Sequence, residues 1–151
     1  MPRPHLTSIL VVKAGLRRCA LRISDVIETM RPLPTEPVRE SPIFIRGLSI
    51  IRGAPVPVVD LAMLLGDSAP AEVFRFVSMR VGKRRLALAL REVLGLRTLE
   101  DSLLEGMPPL LCEKNSMLDA VGVLDSEFVL LLGTARIIPD DAWAALEKSG
   151  T

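Results

Sequence analysis

Apolar positions along this chain fall in short runs broken by small polar turns, a pattern of β-strands and hairpins rather than of helices. The runs SILVV (8–12) and FRFVSM (74–79) each lead into a glycine with basic neighbours. Gly15 is followed by Arg17 and Arg18, and Gly82 by Lys83, Arg84 and Arg85. Each glycine predicts a hairpin turn, and the apolar run after it the return strand. A third hairpin is predicted in GLSIIRGAPVPVVDL (47–61), with Arg52 and Gly53 at the turn. Pro55 and Pro57, two apart, place their missing N–H groups on one edge of its return strand. That arrangement predicts an edge strand guarded against further pairing, with Arg52 solvated at the apex.

The pattern repeats. Lys13–Thr29 aligns without gaps on Arg80–Leu96, matching Gly15 with Gly82, Arg17-Arg18 with Arg84-Arg85, Ala20-Leu21 with Ala87-Leu88 and Val26 with Val93. A looser correspondence joins LSIIRGAPVPVVDLAMLL to GVLDSEFVLLLGTARII. Each half therefore reads strand–turn–strand, a connection, strand–turn–strand and a helical turn. We expect a duplication: a single domain over 1–151, mainly β, built as two small five-stranded barrels. The expected subdomains are about 15–70 and 71–138, joined near GDSAPAE (66–72), with exchange of strands between them allowed.

Two further stretches organise the chain. RPLPTEPVRESP (31–42) carries four prolines and predicts an extended connection. PDDAWAALEKSG (139–150) predicts a short C-terminal helix with Asp140 as N-cap and Trp143 and Leu146 facing the body.

Composition narrows the function. The chain is 49% hydrophobic, 25% charged and 3% aromatic, with a formal net charge of +1. Neither the charge nor the aromatic content fits a nucleic-acid binder, so Arg17, Arg18, Lys83, Arg84 and Arg85 read as solvated hairpin tips. Cys19 and Cys112 form no C-x-x-C pair and are expected to be buried, inert thiols; with His5 they cannot supply a zinc site. No cofactor is expected. ILVV is too short for a signal-peptide core, and no run approaches a membrane span, which predicts a cytoplasmic protein. Asp60, Glu28, His5 and Cys112 have no spacing that joins a nucleophile to a base, and RGAP is no phosphate loop, so no enzyme is expected. A ligand-binding or nucleic-acid-binding small barrel remains one alternative.

SPIFIRGLSIIRGAPVPVVDLAMLLG (41–66) resembles the signature of the CheW-like family of bacterial chemotaxis coupling proteins. The matching residues are Pro42, Phe44, Ile45 and Gly47, then Arg52-Gly53, then Pro57-Val58-Val59-Asp60-Leu61. ALRISDVIET, LALALREVLGL and VGVLDSEFVLLLGTARII resemble other parts of the family, so nearly the whole chain is covered. The resemblance implies two SH3-like five-stranded β-barrels and a non-enzymatic scaffold. It also implies partners: the cytoplasmic tip of a chemoreceptor in the groove between the barrels, the regulatory domain of a CheA-type histidine kinase at the barrel ends, and other CheW-like proteins in receptor arrays. By resemblance, Arg52 and Glu28 stand where the family has charged coupling residues, and Val26 on the neighbouring apolar contact surface.

The chain also departs from the family pattern. Ile50 stands where Asn is usual, Arg91-Glu92 where an Asp and a basic or polar residue are usual, and Gly133 follows Leu132 in place of Asp. The usual glycine is absent where Asp119 to Val121 stand. Most departures lie in the second half, which implies a divergent member that keeps receptor binding better than kinase binding. Its length and divergence resemble the frizzy-system branch of gliding bacteria.

Overall fold

Turn chemistry sets the first hairpins. In the computed structural model, which describes residues 6–68, 71–100, 104–106, 118–124, 127–133 and 137–149, Gly15-Leu16 joins β1 (Leu6–Ala14) to β2 (Arg17–Arg22). Gly82-Lys83 joins β6 (Arg75–Val81) to β7 (Arg84–Leu90) in the same way. Both glycines take the first central position with φ near 60°, as a type II′ turn requires.

After β2 a short 3₁₀ turn (Ile23–Asp25) leads into β3 (Val26–Met30). The proline-rich connection follows, then β4 (Ile45–Ile51), β5 (Ala54–Asp60) and the single turn α1 (Leu61–Leu64). Beyond β7 come β8 (Glu92–Glu100), β9 (Leu104–Gly106), β10 (Leu118–Leu124), β11 (Glu127–Leu132) and α2 (Asp140–Ser149).

Among the described residues these strands form two sheets, ordered β8-β1-β2-β11-β10-β9 and β3-β6-β7-β5-β4. Replacing each strand of the second order by its counterpart in the other half gives β8-β1-β2-β11-β10, the first sheet without its short edge strand β9. The registers correspond too. Val26 faces Met79 and Glu28 faces Ser78 across a bulge, just as Val93 faces Val12 and Gly95 faces Val11. The parallel pair Val58↔Ala87 has its counterpart in Leu131↔Ala20. The duplication therefore extends to the bulges.

The sheets exchange strands between the two halves of the chain, as the sequence allowed. Halves at about 15–70 and 71–138 do not each keep their strands: residues 26–90 build one sheet, while 6–22 and 92–132 build the other. Each sheet takes the first two strands of one repeat and the last strands of the other. A repeated sequence offers its first hairpin two equivalent docking edges, in its own copy or in the other, and the chain uses the other. The joint at 66–72 consequently connects α1 and β6 of a single sheet.

Burial on both strand faces explains the apolar runs. Leu86, Leu88 and Leu90 of β7 point into a core shared by the two sheets, with Leu10, Val12 and Leu21 from the other sheet. The intervening Ala87 and Ala89 point into a second core with Ile51, Val56, Val58 and Phe76. Ile9, Val11, Ala20, Leu99, Val129 and Leu131 fill the matching core of the other sheet. Each sheet thus curls around its own small core as an SH3-like barrel and lends its outer face to the common one. A fully buried leucine there contributes roughly 1.5–3 kcal/mol.

The proline-rich connection covers the edge of β4. Glu36 and Leu48 exchange both backbone hydrogen bonds at 2.8 Å, and the Ser49 hydroxyl donates to the Pro34 carbonyl at 2.8 Å. The approach is close enough that a Cβ on Gly47, whose φ is 142°, would lie 1.9 Å from the Glu36 oxygen. Only glycine fits there.

Two local expectations change. β5 is not an edge strand, since it lies between β4 and β7. Pro55 and Pro57 do turn their N–H-less side away from β4, towards β7, and the β5–β7 ladder begins only at Val58↔Ala87. The prolines therefore end an internal seam rather than guard an outer edge. In α2, the Pro139 carbonyl accepts the Trp143 amide at 3.0 Å, which gives Pro139 the capping position and leaves Asp140 in the first turn. Trp143 and Leu146 are buried in the shared core, as the spacing predicts.

Candidate partner-binding surface

The β4–β5 turn consists of Arg52 and Gly53, with φ of 53° and 79°. Positive φ at both central positions is the type I′ pattern, natural for Gly53 and unfavourable for an arginine. Something must hold Arg52 there, and Glu28 does. Arg52 Nε donates to Glu28 Oε2 and Nη2 to Oε1, both at 3.0 Å. Glu28 belongs to β3 and Arg52 caps β4–β5, so the fork joins the two ends of the five-stranded sheet order. It ties the barrel shut on an exposed side.

The fork sets the local electrostatics. The hydrogen bond from Arg52 holds the Glu28 carboxyl below the usual glutamate range, with smaller help from the charges of Arg52 and Arg85. The same contact raises the already basic Arg52. The Arg52 side chain remains 72% exposed and that of Glu28 29%. Ile50, two residues before Arg52, is 66% exposed. A bidentate ion pair thus stands on the surface at one end of the barrel, and exposed Ile50 faces Pro55 on the adjoining strands.

Val26 does not join this surface. The bulge between Val26 and Glu28 turns two residues of β3 against successive partners, so Val26 shares the face of Met79 and Glu28 that of Ser78. Val26 is half-buried against the shared core. The sequence placed the two residues as neighbours; the bulge sends them to opposite faces.

Other residues with tempting chemistry have structural partners. Asp60 is 1% exposed, caps α1 by accepting the Met63 amide at 3.2 Å, and receives Arg46 Nε at 3.0 Å. The Asp of the Val-Val-Asp-Leu exit is thus a cap and a counter-ion at once. Cys19 is fully buried, and desolvation pushes its thiol up to about 12, which makes it inert. Cys112 and His5 lie outside the described residues. Arg17 pairs with Asp67 at 2.7 Å and Arg84 with Glu147 at 2.8 Å. Sequence reasoning anticipated neither partner, because separations of 50 and 63 residues leave no local signal.

The structure is similar to that of the scaffolding protein TtCheW from Thermoanaerobacter tengcongensis, with a TM-score of 0.79 and 19% identity over 93% of this chain and 96% of that one. At that identity the likeness concerns the fold. No match is found among curated proteins. Nothing in these comparisons distinguishes the frizzy-system branch from other members. Residues 8–142 match the CheW-like domain, nearly the full span of both sheets and the start of α2, and the chain belongs to the CheW-like family.

Proposed function

We propose that the protein is a non-catalytic adaptor of a bacterial chemosensory pathway, coupling the cytoplasmic tip of a chemoreceptor to a CheA-type histidine kinase. The reading rests on family membership and on one observation above all: Arg52, in a backbone conformation unfavourable to it, is held at the surface by Glu28. A charged fork at the surface, with exposed Ile50 on the strand that leads to it, suits a helical partner that needs both register and buried area. Val26 contributes from beneath, by packing β3 onto the shared core. Among the described residues no helix is long and apolar enough to cross a membrane, so the proposed place of work is the cytoplasm, with recruitment to arrays through the receptor.

Receptor contact is retained and kinase contact weakened in this reading. The fork belongs to the first half, whereas Arg91 and Gly133 depart from the family pattern in the second. Co-sedimentation with a receptor cytoplasmic fragment, with and without the kinase regulatory domain, tests both parts. Wild type pelleting with receptor, Arg52→Glu remaining in the supernatant and little kinase recruited is the expected result. Full kinase recruitment would overturn the second part, and unchanged pelleting of Arg52→Glu the first.

A further inference from the structure

Where the prolines end the β5–β7 ladder, the seam opens into a cleft of about 440 Å³ bounded by β5, the start of β7 and α2. Its walls are Pro55, Val56 and Pro57 on one side and Trp143 on the other. Lys83, Arg84 and Arg85 line it as well, all three exposed. Glu147 is the sole acid among the lining residues, and it is engaged by Arg84, whose guanidinium also lies 5.0 Å over the Trp143 ring. A chain of net charge +1 thus lines one cleft with three cations and a single acid, which Arg84 already engages.

The backbone adds direction. In a two-residue hairpin closed at Val81↔Arg84, alternation aims the N–H and C=O of Arg85 towards β5. The facing stretch of β5 holds Pro55 and Pro57, which have no N–H to give.

We propose that this cleft docks a short acidic segment of a partner protein in extended conformation. Its backbone meets Arg85 as an added strand, its carboxylates meet Lys83 and Arg85, and an apolar side chain rests between the prolines and Trp143. Charge complementarity selects the occupant, and strand addition with alternate side-chain pockets supplies the mode. The site does not include the Arg52 fork, although the charge of Arg85 also reaches Glu28, and it does not rest on the chemosensory reading.

Trp143 is the only tryptophan of the chain, so its emission reports the cleft directly. The full chain is titrated at low salt with an acetylated octapeptide of alternating aspartate and leucine, and with its counterpart carrying asparagine for every aspartate. A saturable emission change with the acidic peptide is expected, weakened about ten-fold or more by asparagine, by added salt and by Lys83→Glu/Arg85→Glu. Circular dichroism checks that double variant, and Lys83→Gln/Arg85→Gln replaces it if it unfolds. No emission change, equal binding of the two peptides, or binding that survives the charge changes overturns the proposal. So does a single-stranded oligonucleotide that binds more tightly than the peptide, because the cleft would then read phosphate.

Discussion

Arg52 and Glu28, 24 residues apart in the chain, form two parallel hydrogen bonds of 3.0 Å that join the ends of a curled five-stranded sheet. The pair sits on the surface, where ion pairs contribute little to stability. Asparagine is the preferred companion of glycine in a type I′ turn. Arg52→Asn therefore relieves backbone strain while removing the fork. Its thermal midpoint is expected to stay within about 2–4 °C of wild type, while receptor pelleting falls about ten-fold or more. A large drop in midpoint with intact pelleting would make Arg52 a structural residue.

The fork also has a pH signature. Glu28 is held below its usual value of 4.5, so its folded-state pKa lies under the unfolded one. Stability from the pair is then present above the usual glutamate range and lost as pH falls through the folded value. NMR titration of the Glu28 carboxyl is expected to show the depressed midpoint in wild type and its return towards 4.5 in Arg52→Asn. An unshifted Glu28 in wild type would mean that the fork is open in solution.

Gly47→Ala tests the cover over β4. The new Cβ meets the Glu36 backbone at 1.9 Å and must adopt a φ of 142°. A loss of about 3 kcal/mol or more is expected in urea unfolding. At Gly53 an added Cβ would have no atom within 4 Å and only φ is unfavourable, so Ala costs about 1–2 kcal/mol there. Equal effects at the two sites would remove the role assigned to residues 31–42.

Asp60→Ala removes the cap of α1 and leaves Arg46 without its carboxylate. Cap and ion pair together predict a loss of about 1–3 kcal/mol. The structural role also predicts that receptor binding per folded molecule is unchanged.

Cys19, with its thiol pushed up to about 12, is expected to resist iodoacetamide at pH 8 in the native protein and to react once urea unfolds it. Mass spectrometry of the peptide containing Cys19 reads the difference. Rapid native labelling would show that the shared core opens readily.

Much of this was legible from residues alone. Gly15 and Gly82 announced their hairpins because glycine is the residue a type II′ turn asks for, and the repeat announced the duplication. Trp143 and Leu146 announced the inner face of α2 by helical spacing. The exchange of strands was not fixed by sequence, since two copies present the same edges to each other. The bulge beside Val26 was equally silent, although it decides that Val26 and Glu28 face opposite ways. Pro55 and Pro57 revealed which side of β5 lacks donors, but not that β7 would lie there. The resemblance marked Arg52 and Glu28 as one group; that they bind each other is a fact of barrel closure, which no short-range pattern encodes.

The interleaved sheets have a consequence for how such a chain can arise and how it can be divided. A single repeat of this kind, as a separate polypeptide, would hold counterparts of all five strands and could dock its hairpin on itself or exchange it with a second copy, so the fold has the plan of a strand-exchanged homodimer joined into one chain. Cutting it at the joint after α1 would yield two fragments that each hold half of both barrels. Each would then either fold its hairpin back on itself or regain the interleaved sheets with the other fragment.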